Sequence, residues 1–264
     1  MRFSILPCAA LLLGMALAPS HAFAADAAVT AKPLSPAERT AIEGVIKDYL
    51  TKEHPEVIMD AVQELQKRDE ANSMASNAKA IASSSKDLYD DPHTPVGGNP
   101  KGDVKVVEFF DYQCPYCKGV QPAIDKLLKD DHHVKFIYKE FPILGEISTE
   151  ATKAALASVK QGKYLKFHDA LMKAPFSHNA NPPADEKLLW KTAKDAGLNI
   201  DKLKKDMKDP EIEKIVDGNL KLGATIGVRG TPMFVINDKM YPGAMEYAQF
   251  KSAVDDAHAA AKKK

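Results

Sequence analysis

The feature that most constrains this 264-residue chain is the segment VKVVEFFDYQCPYCKGV, residues 104–120. Val104 to Phe110, rich in Val and Phe, reads as a buried strand. Asp111 to Gln113 follow as a short turn. Cys114 then stands where a helix starts, with Pro115 at the first helical position. Val120, Ile124, Leu127 and Leu128 continue at helical spacing. A helix start gathers unpaired N–H groups and the positive end of the dipole, and both stabilise an anion. A cysteine held there ionises at about 3.5–7.5 instead of about 8.5. Cys117, one turn on, faces the same side.

Three chemistries suit two cysteines at this spacing. Structural zinc takes four ligands, and the pair supplies two. His132 and His133 are adjacent while His168 and His178 stand alone, so no histidine pair has finger spacing. A purely structural disulfide would close a loop too short to constrain much of the unfolded chain. Thiol–disulfide exchange needs only a reactive thiolate and a neighbour that attacks or bonds it. The pair reads as redox-active. No Gly-rich phosphate cradle, metal-ligand cluster or Ser/His/Asp pattern competes, so neither cofactor nor metal is expected.

The first residues have the parts of a secretory signal: Arg2, an apolar run from Ile5 to Leu17, and Ala22-Phe23-Ala24 as an A-x-A cleavage site. The apolar run is too short to span a bilayer. Cys8 lies within it, ahead of the cleavage point, which argues against a lipid-anchored cysteine. Residues 1–24 are therefore expected to be a signal peptide cleaved near Ala24, leaving Cys114 and Cys117 as the mature cysteines. In a Gram-negative host the destination is the periplasm, where disulfides persist. Lys and Arg total 36 and Asp and Glu 36, so nothing in the charge balance suggests a nucleic-acid footprint. The closing Lys262 to Lys264 run reads as a solvated helix end.

Ser35-Pro36-Ala37-Glu38 forms a capping-box helix start, and Ile42, Val45, Ile46 and Tyr49 follow on one face. Pro55 places a boundary or kink at His54. A second helical pattern carries Ile58, Ala61, Val62 and Leu65, then Met74, Ala78 and Ile81, opposite Glu64, Lys67, Arg68, Asp69 and Glu70. Its apolar stripe needs a cover, either its own domain or the same arm of another subunit; residues 35–82 are read as a homo-oligomerisation element. Ala82 to Pro100, rich in Ser, Asp, Pro and Gly, reads as a linker. The expected organisation is arm and linker over 25–86 and an α/β catalytic domain over 87–264.

A second motif lies at Gly230-Thr231-Pro232, just ahead of an apolar strand, with Asn237-Asp238-Lys239 as a turn and Met240-Tyr241 as the return. Proline at a strand entrance costs no ladder hydrogen bond. The strand His133 to Phe141 precedes a helical stretch over about 146–223. Its apolar sets are Ala151, Ala154, Ala155, Leu156 and Val159; then Tyr164, Phe167, Leu171 and Met172; then Leu188, Leu189, Trp190 and Ala193. Phe167 and Trp190 read as core residues.

A strand–CPYC–helix unit, a helical segment, then GTP before a strand pair and a last helix resembles the thioredoxin-fold DsbA family. The likeness runs from about Asp87 onward and extends to the suppressor of copper sensitivity C branch, whose oligomerising segment the arm resembles. The resemblance implies a thioredoxin-like fold with an inserted helical subdomain. It also implies Cys114 as the attacking cysteine, Cys117 as the resolving one, and Pro115 and Tyr116 as the pair that tunes reduction potential. Thr231 and Pro232 would form the cis-proline loop facing the sulfurs, and Glu108 the buried acid that assists proton transfer. Pro-Tyr stands where the oxidase prototype has Pro-His, and Thr231 where it has valine; a threonine there resembles the isomerases DsbC and DsbG.

The expected activity is disulfide isomerisation on unfolded or misfolded periplasmic proteins, with a membrane redox partner resetting the site. A DsbA-like dithiol oxidase is the alternative. A copper-stress chaperone holding Cu(I) on the two sulfurs is the third reading, since soft ligands suit that metal.

Overall fold

The computed structural model describes residues 33–176 and 182–261. The expected signal peptide with Cys8 and its cleavage point, His178 and the closing lysines lie outside the described residues. The chain divides into two compact units, one ending at Gln63 and the other beginning at Glu64.

In the first unit, α1 spans Pro36–Asp48. Ser35 caps it through its side chain, and the Glu38 carboxylate accepts from the Ser35 N–H at 2.8 Å, completing the expected capping box. The helix widens into a π-turn over Tyr49–Glu53 and breaks at His54, as Pro55 requires. The long helix α2, Glu56–Ser83, then begins and runs on into the second unit. Ile42, Val45, Ile46, Ile58 and Val62 are all exposed, by 41 to 69%.

The second unit is built on a five-stranded sheet of order β1-β3-β2-β4-β5. Its strands are β1 Val96–Gly98, β2 Val104–Phe110, β3 Val134–Glu140, β4 Met233–Ile236 and β5 Lys239–Pro242. β2 and β3 run parallel; the other neighbours are antiparallel. The helices are α3 Ser85–Tyr89, α4 Pro115–Asp130, α5 Glu146–Ser158, α6 Tyr164–Lys173, α7 Pro182–Asp195, α8 Ile200–Asp206, α9 Pro210–Ile226 and α10 Tyr247–Ala261. Helices cover both faces, which is why β2 reads as an almost unbroken apolar run. Val104, Val106 and Phe110 pack with Ile124 of α4, Phe167 of α6 and Phe250 of α10. Val107 and Phe109 face the other side, with Ile81, Leu88 and Ile226. Glu108 shares parity with Val106 and Phe110, so it lies on the α4 side.

This is the thioredoxin-like fold with helices α5 to α9 inserted between β3 and β4. One reading is corrected. Ala82 to Pro100 is not a bare linker: α3 buries Leu88 and Tyr89, and β1 pairs with β3 from Val96 to Gly98. Its Ser, Asp, Pro and Gly content hides the few apolar residues that anchor it. The last turn of α2 likewise belongs to the core, because Ile81 is only 1% exposed.

Candidate active site

Parallel pairing with β3 fixes β2, and the chain leaving β2 turns over Asp111 to Gln113 into α4. The Asp111 carboxylate organises that turn. Its Oδ1 accepts from the Gln113 N–H at 2.7 Å and the Ser148 hydroxyl at 2.6 Å, and its Oδ2 from the N–H groups of Ile143 and Leu144 at 2.8 and 3.0 Å. Cys114, whose N–H reaches the Asp111 carbonyl at 3.1 Å, is thereby set at the N-cap of α4 with Pro115 next. Cys117 is fully buried one turn on, and both are free thiols. Tyr116 turns outward and is 67% exposed.

The second loop arrives from α9. Gly227, at φ 90°, ends that helix in the left-handed conformation that glycine takes without penalty, and the Thr231–Pro232 bond that follows is cis. The Cys114 Sγ–H donates to the Thr231 carbonyl at 3.2 Å.

The two sulfurs differ sharply. Cys114 ionises at about 6; its hydrogen bond with Cys117 is the largest cause, burial opposes it, and the Thr231 side chain and the N–H groups of Cys117 and Tyr116 assist. Cys117 is pushed far above the ordinary thiol range by burial, its bond to Cys114 and the nearby Glu108 charge. Such a dithiol presents one reactive thiolate and one protonated reserve.

Beneath it, Glu108 is fully buried and neither carboxyl oxygen has a hydrogen-bond partner. Burial, then the charges of Cys114 and Glu140, hold its pKa well above the carboxylate range. The seven residues read from the sequence as site residues lie on β2 (Glu108), at the N-cap and first turn of α4 (Cys114, Pro115, Tyr116 and Cys117) and in the loop before β4 (Thr231 and Pro232).

Others carried no sequence signal as site residues. Lys118, directly after Cys117, donates to the carbonyls of Leu171 and Ala174 and is lowered to about 8 by burial, against the charges of Cys117, Asp111 and Cys114. Glu140 accepts from Tyr164 at 2.8 Å, Tyr112 at 3.0 Å and Thr152 at 3.1 Å. The Tyr112 hydroxyl also lies 3.1 Å from His168 Nδ1. Tyr112 spends its proton on Glu140, so His168 Nδ1 donates and Nε2, buried without a partner, is the acceptor. Tyr112 and Lys118 flank the two cysteines in sequence, whereas Glu140 and His168 come from distant segments.

A low-pKa thiolate at a helix start, a buried partner thiol and a facing cis-proline loop on a thioredoxin-like sheet define a thiol–disulfide oxidoreductase. The chain belongs to the DSBA-like thioredoxin domain family, which it matches over residues 105–255; residues 38–72 match the copper resistance protein ScsC N-terminal domain. Among solved structures, a thioredoxin-like oxidoreductase from Silicibacter pomeroyi is 42% identical, with a TM-score of 0.62 over 66% of this chain and 96% of that one. A linker-deletion mutant of Proteus mirabilis ScsC is 28% identical, with a TM-score of 0.62 over 87% of this chain and 99% of that one. Disulfide bond formation protein D of Bacillus subtilis is 28% identical over 173 residues, 61% of this chain and 75% of that protein. The chain also matches the Na(+)/H(+) antiporter NhaA 3 of Salinispora tropica, 28% identical over 197 residues, 71% of this chain but only 29% of that much longer protein.

Proposed function

We propose that this protein is a periplasmic disulfide isomerase that acts on misfolded proteins through a mixed disulfide at Cys114. The asymmetry of the dithiol supports the exchange chemistry that isomerase and oxidase share, with one thiol ionised at neutral pH and one protonated, and the arm supports isomerisation. In the reduced state the Cys114 thiolate attacks a substrate disulfide, forming a Cys114–substrate bond and releasing a substrate thiolate. Another substrate thiolate then attacks the substrate sulfur of the mixed disulfide and Cys114 leaves, or Cys117 attacks the Cys114 sulfur, forming the Cys114–Cys117 disulfide and releasing the substrate thiolate. When Cys117 attacks, its thiol proton passes to Glu108, which the preceding reduction of the disulfide left as the carboxylate. In the reverse direction a substrate thiolate opens the Cys114–Cys117 disulfide, and Glu108 returns the proton to the departing Cys117. Thr231, Pro232 and the exposed Tyr116 flank Cys114 as the docking surface for the substrate backbone, and Pro115 and Tyr116 tune the potential.

Isomerisation is favoured over oxidation by the arm, proposed as residues 25–86 ahead of a catalytic domain over 87–264. Half-covering each of Ile42, Val45, Ile46, Ile58 and Val62 contributes about 1 kcal/mol, hence about 5 kcal/mol per chain. Two such stripes reach the range of association costs, roughly 4–15 kcal/mol. A homo-oligomer through residues 35–82 would hold several dithiols around one substrate. The low pKa of Cys114 supports the oxidase reading instead, since a stabilised thiolate favours the reduced enzyme and an oxidising character. In either case an oxidoreductase partner in the membrane resets the site. Cys114→Ser tests the chemistry: loss of all exchange with a protein disulfide is expected, and retained turnover refutes the site.

A further inference from the structure

Glu108 and Glu140 lie on neighbouring strands and on the same face of the sheet, since Glu108 is in register with Tyr138 and Phe110 with Glu140. Both are fully buried, yet their surroundings differ. Three hydroxyl groups donate to Glu140, from the loop before Cys114, from α5 and from α6. No group donates to Glu108. Hydroxyl donors favour a carboxylate, and a buried carboxyl without donors favours the acid. Two buried carboxyl groups that sense one another cannot both ionise easily, so their protons leave as a coupled pair.

We propose that Glu140 is a positioning residue for the active-site proton: its three donors draw the pair's first negative charge onto Glu140 and leave the proton on Glu108, beneath the dithiol. The inference rests on the exchange reading above and deepens it. It names the group that keeps Glu108 able to return a proton to Cys117. Cys114, Cys117 and Tyr138 face Glu108. Tyr112, Tyr164 and Asp111 face Glu140, with His168 held neutral behind Tyr112. Burial raises Glu140 to about 8 against the lowering effect of Tyr164, Tyr112 and Thr152, and burial raises Glu108 well above its ordinary value with no donor to oppose it.

The test is the pH dependence of reduction of the oxidised protein by excess glutathione, corrected for the thiolate fraction of the reductant. In Glu140→Gln the like charge is gone, so Glu108 loses its proton earlier. The alkaline fall in rate should begin about one pH unit lower than in the wild type. In a Glu108→Gln background the same substitution should leave the profile where it was. Tyr164→Phe, which removes one donor with little change of volume, should move the profile in the same direction by less; it carries the test if Glu140→Gln does not fold. An unshifted profile in both single variants overturns the proposal, as does an equal shift in the Glu108→Gln background, which marks a merely structural effect. Absence of any glutathione reaction in the wild type would instead overturn the exchange reading itself.

Discussion

Replacing Cys117 removes the largest support of the Cys114 thiolate. With Cys114 ionising at about 6, thiolate exceeds thiol about tenfold at pH 7. A hydrogen bond to a charged group contributes about 1.5–3 kcal/mol, or about 1–2 pH units. In Cys117→Ala the midpoint should therefore rise to about 7–8. Cys117→Ser, whose hydroxyl still donates, should stay nearer the wild-type value. Alkylation rate alone is a poor readout, because thiolate nucleophilicity falls with pKa and offsets much of the gain in thiolate fraction. The midpoint is the robust quantity, read from ultraviolet thiolate absorbance against pH on the reduced protein. If Cys117→Ala titrates with the wild type, then Thr231 and the helix-start N–H groups hold the thiolate, and the role assigned to Cys117 is wrong.

His168 should set acid stability. Burial depresses it to about 3, so its contribution is complete above the unfolded value of about 6.5 and is lost as pH falls toward about 3. Between pH 7 and 4 this costs about 3 kcal/mol, and His168→Gln should flatten that fall in urea melts at the two pH values; equal falls would dismiss the cause. Gly223 of α9 packs against the Phe141 ring with no room for a Cβ. Gly223→Ala should lower stability by about 1–3 kcal/mol without moving the Cys114 midpoint; unchanged stability would mean that α9 shifts freely.

Much of the scaffold was legible because its signals are local. Ser35 and Glu38 cap α1 within four residues, Pro55 breaks the arm where expected, and the 104–120 segment shows strand, turn and helix in succession. Asn237 and Asp238 turn β4 into β5 as their type suggests, with Asn237 at φ 50°. The strand read as His133 to Phe141 is shorter by one residue at each end. What sequence could not supply was distant assembly. Glu140 reads as an ordinary strand-end charge until Tyr112, Thr152 and Tyr164 converge on it from three other segments. Asp111 reads as a turn former, although its carboxylate ties the α4 entrance to the loop after β3. The cis bond at Pro232 has no local signature, since an X–Pro pair is cis in only about 5–6% of cases. Α linker composition concealed Leu88 and Tyr89 for the opposite reason: a few apolar residues among many polar ones leave no periodicity to read.

The burial of Ile81 decides where the arm can be cut, and a chain beginning at Glu64 keeps it. The most direct test is recovery of activity from scrambled-disulfide ribonuclease, comparing the full chain with one lacking residues 1–63, and with sedimentation of both. The account predicts unscrambling by an oligomeric full chain, and a smaller truncated assembly that oxidises reduced ribonuclease but does not unscramble it. Oxidation without unscrambling by the full chain would contradict isomerisation and leave a dithiol oxidase.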